Sequence, residues 1–287
     1  MAQPTNLDLG LVCPVCRLEL RLRTRPGRPA QLSCPELHAF DAAKQGYFNL
    51  LTGKGTAFRE DGSAMVAARA AFLDAGHYGP LAAALTESIA AAVEGNPSPR
   101  ILDAGAGTGY YLGRVLRGLP ESATAIAMDI SKFAMRRAAK LPGTLALVWD
   151  LWRELPMAAA TFDALINVFS PHNGQEFARV LRPGGVSLVV TPLPEHLADG
   201  AQLLGLLGIA GDKAAGVVAS MGESFTLEGT REIRVPLELS PEQAFDLAMM
   251  GPAGHHLDPA VLRERIEAHP GAIELVAAFR VQEFRRR

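Results

Sequence analysis

Cysteine is scarce in this chain: 287 residues hold three, and the last of them is Cys34. So sparse a set excludes a disulfide-stapled secreted scaffold. Long apolar runs are missing too, since none reaches the roughly 20 residues that a membrane-spanning helix needs. The opening MAQPTNLDLG holds neither a basic stretch nor an apolar one, so no secretory signal is read and a cytoplasmic protein with no membrane partner is expected. A net charge of −2 excludes a uniformly basic nucleic-acid coat. No internal repeat or low-complexity tract appears. What remains, 48% hydrophobic with 20% charged, is ordinary globular composition with room for more than one folding unit.

The charge that is present is unevenly placed. Residues 1–59 carry eight Lys/Arg against four Asp/Glu, leaving 20 basic and 26 acidic residues for the rest. That basic head also contains every cysteine, as Cys13-Pro-Val-Cys16 and, after seventeen residues, Cys34-Pro-Glu-Leu-His38. A C-x-x-C turn presents two thiolates from one tight knuckle, and a second knuckle ending in histidine can close a zinc tetrahedron. Cys13, Cys16, Cys34 and His38 leave no open position, so the expected ion is structural, one per chain. A redox pair is the rival reading, but it leaves Cys34 and His38 without a role. A segment this small buries little apolar surface, so metal binding would supply most of its folding free energy. Leu18, Leu20 and Leu22 alternate with Glu19, Arg21 and Arg23, which predicts a strand; Arg25-Pro-Gly-Arg28-Pro reads as its turn and 31–33 as the return. Arg21, Arg23, Arg25 and Arg28 would then surround a hairpin, either as a solvated surface or as contacts to RNA phosphates.

The sharpest local signal lies further on, in Arg100-Ile-Leu-Asp-Ala-Gly-Ala-Gly-Thr-Gly109. A buried strand would end at Asp103, a helix would begin near Tyr110, and Gly105, Gly107 and Gly109 would let the backbone turn sharply against a ligand. The spacing is G-x-G-x-G and not the G-x-G-x-x-G of dinucleotide enzymes. This points to S-adenosylmethionine (SAM), which has no pyrophosphate to rest on a helix N-terminus. A second apolar strand, 123–128, ends in Asp129, placed to accept ribose hydroxyls. A third, 144–149, ends in Asp150, placed to meet an adenine amine.

Ser63 looks like an N-cap, and 64–93 is helical in pattern apart from Gly76-His-Tyr-Gly-Pro80. Gly95-Asn-Pro-Ser-Pro99 is a breaker. A strand over 162–169, a helix over 175–181 stopped by Arg182-Pro-Gly-Gly185, and a strand over 186–191 follow. Beyond them come helices near 195–207 and 212–221, a hairpin over 223–239, a helix capped by Ser240, and a strand over 280–284. The alternation predicts a doubly wound α/β sheet behind a metal-bound head. We divide it as 1–58, a zinc-binding RNA-recognition domain with its connector; 59–95, a helical linker contributing to the cofactor site; and 96–287, a SAM-binding domain.

Taken together, these features resemble the 23S rRNA guanine-N1 methyltransferases of the RlmA family, which include macrolide-resistance enzymes. The resemblance runs through Cys13-Pro-x-Cys16, Cys34-Pro-x-x-His38-x-Phe40-Asp41, Lys44-x-Gly46-Tyr47-x-Asn49-Leu50-Leu51, Arg69-x-x-Phe72-Leu73-Asp74-Ala75-Gly76-His77-Tyr78, the turn from Asp103 to Tyr111, Ser170-Pro171 and Arg179-Val-Leu-Arg-Pro-Gly-Gly185. It implies that 96–287 is a SAM-dependent methyltransferase domain, with methyl transfer from SAM to N1 of a guanine in a domain II hairpin loop of 23S rRNA, at the peptide exit tunnel. It also implies zinc on the Cys3His set and cofactor contacts from Tyr78, Gly107, Thr108 and His196. Asn173 and Glu176-Phe177 look closer to the tylosin-resistance branch. The loop from Asn167 to Asn173 lies where the acceptor base would enter. There His172 could take the N1 proton, Asn167 or Asn173 could read the base edge, and Phe169 could stack on it. The alternatives are a methyltransferase acting on a small molecule and a non-catalytic zinc-dependent RNA-binding factor. A homodimer is compatible with the sequence.

Overall fold

The computed structural model describes residues 10–287 apart from Arg25, Lys54, Ala210 and Asp212, so the expectation for Arg25 lies outside the described residues. The head is a three-stranded antiparallel sheet of β1 (Arg21–Arg23), β2 (Gln31–Ser33) and β3 (Ala39–Asp41), in that order. Leu22 pairs with Leu32 and Leu32 with Phe40, which gives the small sheet one apolar face. The first strand is shorter than its alternation predicts, since Leu18 lies outside the ladder and is exposed. The third strand was not expected.

The connector, read from sequence as irregular, enters the large sheet. Its β4 (Phe48–Asn49) pairs in parallel with β7 (Thr144–Val148), anchored by the wholly buried Phe48. Two helices follow, α1 (Ser63–Asp74) and α2 (Gly79–Ala92). They are separated where Gly76 takes φ +89°, and Pro80 opens α2. Ser63 is the first helical residue, with Gly62 in the cap position, so the expected Ser63 cap is not formed.

The remaining units are β5 (Arg100–Ala104), α3 (Tyr110–Arg117), β6 (Thr124–Asp129), α4 (Lys132–Ala138), β7, β8 (Phe162–Val168), α5 (Gly174–Val180) and β9 (Leu181–Pro192). After them come α6 (Ala201–Leu204), α7 (Ala214–Met221), β10 (Phe225–Leu239), α8 (Pro241–Met250), α9 (Pro259–Glu267) and β11 (Ile273–Arg286). The eight-stranded sheet runs β10-β11-β9-β8-β5-β6-β7-β4, parallel from β9 to β4, with β11 and β10 added antiparallel. Every residue of β7 and β8 is buried, as expected where helices cover both faces of parallel strands. The order reverses at β5, between β6 and β8, so the ligand crevice belongs at the C-terminal tip of β5.

Three expectations in the C-terminal half change. The hairpin expected over 223–239 is one long strand whose partner is β11, with a bulge in the register between Leu227 and Gly229. The helix over 195–207 shrinks to a 3-10 turn at Ala198–Gly200 and the short α6. Arg182 to Gly185 follows the end of α5 at Val180, as expected of a helix stop, but already belongs to β9, which starts earlier than the expected 186 and shifts its register with β8 there. The Ser240 cap forms as expected, with Gln243 closing a capping box.

The head docks on the sheet. Leu11 bridges to Met157, and Val12 N–H donates to the Pro156 carbonyl at 2.9 Å. Cys13, Leu20, Leu32 and Cys34 share one apolar core with Leu147, Trp149, Leu155 and Phe162.

Candidate functional site

Each zinc knuckle is shaped by a residue in the left-handed region, Arg17 at φ +61° after Cys16 and Leu37 at φ +62° before His38. Leu37 N–H donates to the Cys34 carbonyl at 3.1 Å, and Cys34 N–H to the His38 carbonyl at 3.1 Å, so the second turn folds His38 back onto Cys34. Cys16 and Cys34 Sγ atoms stand 3.6 Å apart, and Cys34 Sγ stands 3.4 Å from His38 Nδ1. All four ligand atoms lie within 4.8 Å of one another. A zinc tetrahedron with bonds of about 2.3 Å has edges of about 3.8 Å, so the donor set fits the ion. Burial opposes ionisation of Cys34, but hydrogen bonds with Cys16 and His38 outweigh it and bring the thiol down to about 7.

Around the hairpin, Arg21 pairs with Glu19 at 2.8 Å and Arg23 donates to Ser33 Oγ at 2.8 Å. Arg23 and Arg28 line a hollow of about 220 Å³ with Gln31 and Asp41.

At the tip of β5 the glycine turn has the predicted shape. Gly105, Gly107 and Gly109 take φ of +89°, +52° and +80°. Gly105 and Ala106 N–H groups donate to the Met128 carbonyl at 2.8 and 2.9 Å, which ties the turn to β6. Asp129 Oδ2 accepts from Gly107 N–H at 2.9 Å, and its Oδ1 accepts from Ser131 N–H at 2.8 Å. Asp129 therefore holds the turn itself, using one lone pair on each oxygen. Asp150 accepts from Thr56 Oγ1 at 2.7 Å and from Trp152 N–H at 3.0 Å, which fastens the connector to the tip of β7. Thr108 is half-buried at the outer edge of the turn, beside Tyr110 and Gly113.

Tyr78 and His196, far apart in sequence, meet at 6.4 Å between ring centroids and share Phe279 as a neighbour. Phe169, 6.1 Å from His196, links this aromatic group to the glycine turn through Ser170, its neighbour in sequence. A Cβ on Gly105 would lie 2.0 Å from Ser170 Oγ. His196 Nδ1 accepts from Ala278 N–H at 3.1 Å, and burial pushes its pKa down to about 4, so the ring is neutral. The Tyr78 hydroxyl, Asn167 Oδ1 and Thr191 Oγ1 are buried near these strand tips without a partner among the described residues. Unspent hydrogen-bonding capacity of this kind fits a polar ligand such as SAM.

Sequence reasoning assigned no role to Arg69. Its guanidinium pairs with Asp61 at 2.7 Å and stands 3.7 Å from where a Cβ on Gly107 would lie. Nothing local marks it, because it reaches the turn from α1. Asn173, expected to read a base edge, is occupied at both ends of its amide. Its oxygen caps α5 by accepting from Glu176 N–H at 3.3 Å, and its nitrogen donates to the Leu151 carbonyl at 3.2 Å. The Asn167 nitrogen donates to the Ala104 and Pro171 carbonyls at 2.8 and 3.0 Å, joining β5 to the loop after β8. His172 is half-buried, and burial lowers its pKa.

Asp103 is 2% exposed, and burial together with the neighbouring Asp129 raises its pKa to about 8. The folded chain thus keeps a proton that the unfolded chain releases near pH 4. Its contribution to stability is complete below the unfolded pKa and is lost as pH rises through about 8. Without added cofactor, Asp103→Asn should match wild type near pH 4 and exceed it in Tm by several degrees at pH 8, at roughly 2–4 °C per kcal/mol. Parallel melting curves for the two proteins across that range would disprove the buried-acid account.

Comparison with known proteins agrees with this geometry. Residues 11–54 match the family model described as "RlmA, N-terminal", a zinc ribbon, and residues 101–185 match a methyltransferase domain. The chain is 39% identical to the 23S rRNA (guanine(748)-N(1))-methyltransferase of Streptomyces fradiae, over 94% of each chain. It is 43% identical to a Micromonospora griseorubida protein assigned as a 23S rRNA (guanine-N(1)-)-methyltransferase, over 96% of this chain and 97% of that one. The solved YcgJ protein of Bacillus subtilis shares the fold, with TM-score 0.51 and 14% identity over 71% of this chain and 98% of that one.

The fold and the site define a SAM-dependent methyltransferase that carries an amino-terminal zinc ribbon. Within that class, the chain belongs to the 23S rRNA (guanine-N1) methyltransferases.

Proposed function

We propose that this enzyme methylates N1 of a guanine in the domain II hairpin of 23S rRNA at the peptide exit tunnel, and that the modification protects against tylosin-type macrolides. The Streptomyces fradiae relative, named for guanine 748 and matching over nearly the full length, carries this reading. The working division is 1–58 for RNA recognition, 59–95 for a helical cover of the cofactor, and 96–287 for catalysis. Action on ribosomal RNA in the cytoplasm fits a chain in which no described helix is long and apolar enough to cross a membrane. A homodimer completes the proposal.

The bound cofactor supplies an electrophilic methyl group on a sulfonium. Zinc is assigned to Cys13, Cys16, Cys34 and His38. SAM is assigned to Tyr78, Asp103, Gly105, Gly107, Thr108, Gly109, Asp129, Asp150 and His196. The chain's further task is alignment of the base and removal of the guanine N1 proton. His172, kept neutral at physiological pH by burial, is the proposed acceptor of that proton. Asn173 keeps its place in the site as the residue that holds the loop, through its cap on α5 and its bond to Leu151. Phe169, 44% exposed, offers a ring face to the base. N1 lies on the Watson–Crick edge, so the target must be unpaired or flipped out. Arg21, Arg23, Arg25 and Arg28 hold the hairpin backbone.

The test is transfer of labelled methyl to unmodified 23S rRNA, mapped by primer extension, since N1-methylguanine arrests the copying enzyme. A single arrest in the domain II hairpin is expected. His172→Ala should lower kcat by about 100-fold, the scale of a lost general base, with KM for RNA nearly unchanged. Tight SAM binding with no transfer to RNA would move the substrate to a small molecule.

A further inference from the structure

Away from the zinc hairpin, the surface holds a second concentration of positive charge that nothing above uses. A groove of about 270 Å³ runs between the end of α1, the exposed face of α3 and the end of α4, bordered at one end by Thr108 and Gly109 of the cofactor turn. Arg114 and Arg117 stand three residues apart on α3, a spacing that shares one helix face, while Arg137 lies in the last turn of α4 and Lys140 in the turn just beyond it. All four are exposed, and Asp74 is the one acid lining the groove.

The charges are also uncompensated. Among the described residues none of the four forms an ion pair with a carboxylate; Arg114 lies over the Tyr110 ring at 5.2 Å. This cluster sits in the part of the chain where acids outnumber bases, 26 to 20, so it is not a by-product of overall composition. Four like charges across one groove repel, which costs stability unless an anion offsets it. The Tyr110 hydroxyl, buried without a partner among the described residues, is a single donor in the groove, and the cations are spread along α3, the last turn of α4 and the turn that follows it. That arrangement suits a chain of phosphates.

We propose that this groove is a second RNA-binding surface, on the methyltransferase body, which holds the phosphate backbone of the rRNA flanking the target hairpin. The inference rests on the RNA-substrate reading and adds to it. The zinc head grips one part of the RNA and the α3–α4 groove another, so that the target base is held over the cofactor turn from two sides.

The experiment measures binding of the full-length zinc-loaded protein to an unmodified domain II hairpin transcript with its flanking helices, by fluorescence anisotropy from 50 to 300 mM KCl. The wild type is compared with R114Q/R117Q/R137Q/K140Q, and SAM binding is followed by calorimetry as a check on folding. The groove variant should bind RNA roughly tenfold or more weakly, with the slope of log affinity against log salt smaller by about 3, near 0.7–0.9 for each lost phosphate contact. KM for the RNA should rise in step. A groove variant with wild-type affinity and slope would overturn the proposal. Should the fourfold change disturb folding, R117Q and K140Q singly must each reduce the slope by close to one contact, or the proposal fails. A wild type that binds the transcript but transfers no methyl would defeat the RNA-substrate reading, while the binding comparison would still decide the groove.

Discussion

Cys34→Ser is expected to lose its zinc, unfold the ribbon and lower RNA methylation by about 100-fold or more, the loss expected when a structural metal is a domain's main source of folding free energy. Apparent binding free energies for structural zinc are about 10–16 kcal/mol, far above the few kcal/mol that a three-stranded sheet of three-residue strands can gather. The effect should spread beyond the ribbon. Cys13, Leu20 and Leu32 pack in the same core as Leu147, Trp149, Leu155 and Phe162, so an unfolded ribbon uncovers apolar surface on the body. The exposure costs roughly 1.5–3 kcal/mol for each large side chain released. SAM affinity should fall far less, because the glycine turn, which continues from β5, is held to β6 by its own hydrogen bonds to Met128 and Asp129. Metal analysis should find one zinc per chain in wild type and none in the variant. A Cys34→Ser protein that kept both zinc and activity would remove Cys34 from the ligand set.

Gly105→Ala should damage the cofactor site and the fold together. An added Cβ would lie 2.0 Å from Ser170 Oγ and 2.3 Å from Ser170 Cβ, at a backbone φ of +89° that side chains rarely adopt. The left-handed strain alone costs about 1–2 kcal/mol, and relieving the clash must push the Phe169-Ser170 loop away from the turn. A total of about 3–4 kcal/mol of stability is expected, with SAM affinity lower by about 100-fold or more. Gly107→Ala provides the contrast. Its nearest neighbours, the Cδ and Nη1 of Arg69, would be 3.7 Å away, so at φ +52° it should carry only the left-handed strain of about 1–2 kcal/mol and no clash. Any loss of SAM binding there comes from obstruction of the ligand. Pairing Gly105→Ala with Ser170→Gly should restore part of the stability, since the second change removes the atoms in conflict. Equal destabilisation by the two alanine variants would refute the steric account.

Much of the site was legible because its chemistry is local. The two knuckles need cysteine and histidine at short spacing, and the cofactor turn needs glycine at three alternate positions between a strand and a helix. What was missed depends on partners distant in the chain. Phe48-Asn49 is a strand only because β7 offers an open edge. The stretch over 223–239 stays extended through Gly229 because β11, some fifty residues on, supplies its ladder. Asn173 looked available in sequence, yet its amide is used by Glu176 and Leu151.

By itself, then, the sequence determined the Cys3His knuckles, the glycine turn, the α/β class and the family, all written in short local motifs placed along the chain. Only the tertiary structure decided that Tyr78 meets His196, that Arg69 reaches the glycine turn, that Asp129 holds that turn shut, and that four cations from α3, α4 and the turn after α4 line one groove. The physical reason is that backbone conformation and metal spacing are set by near neighbours. Side-chain encounters between separate helices and strands are set by how those elements pack, and packing is decided by the whole core at once.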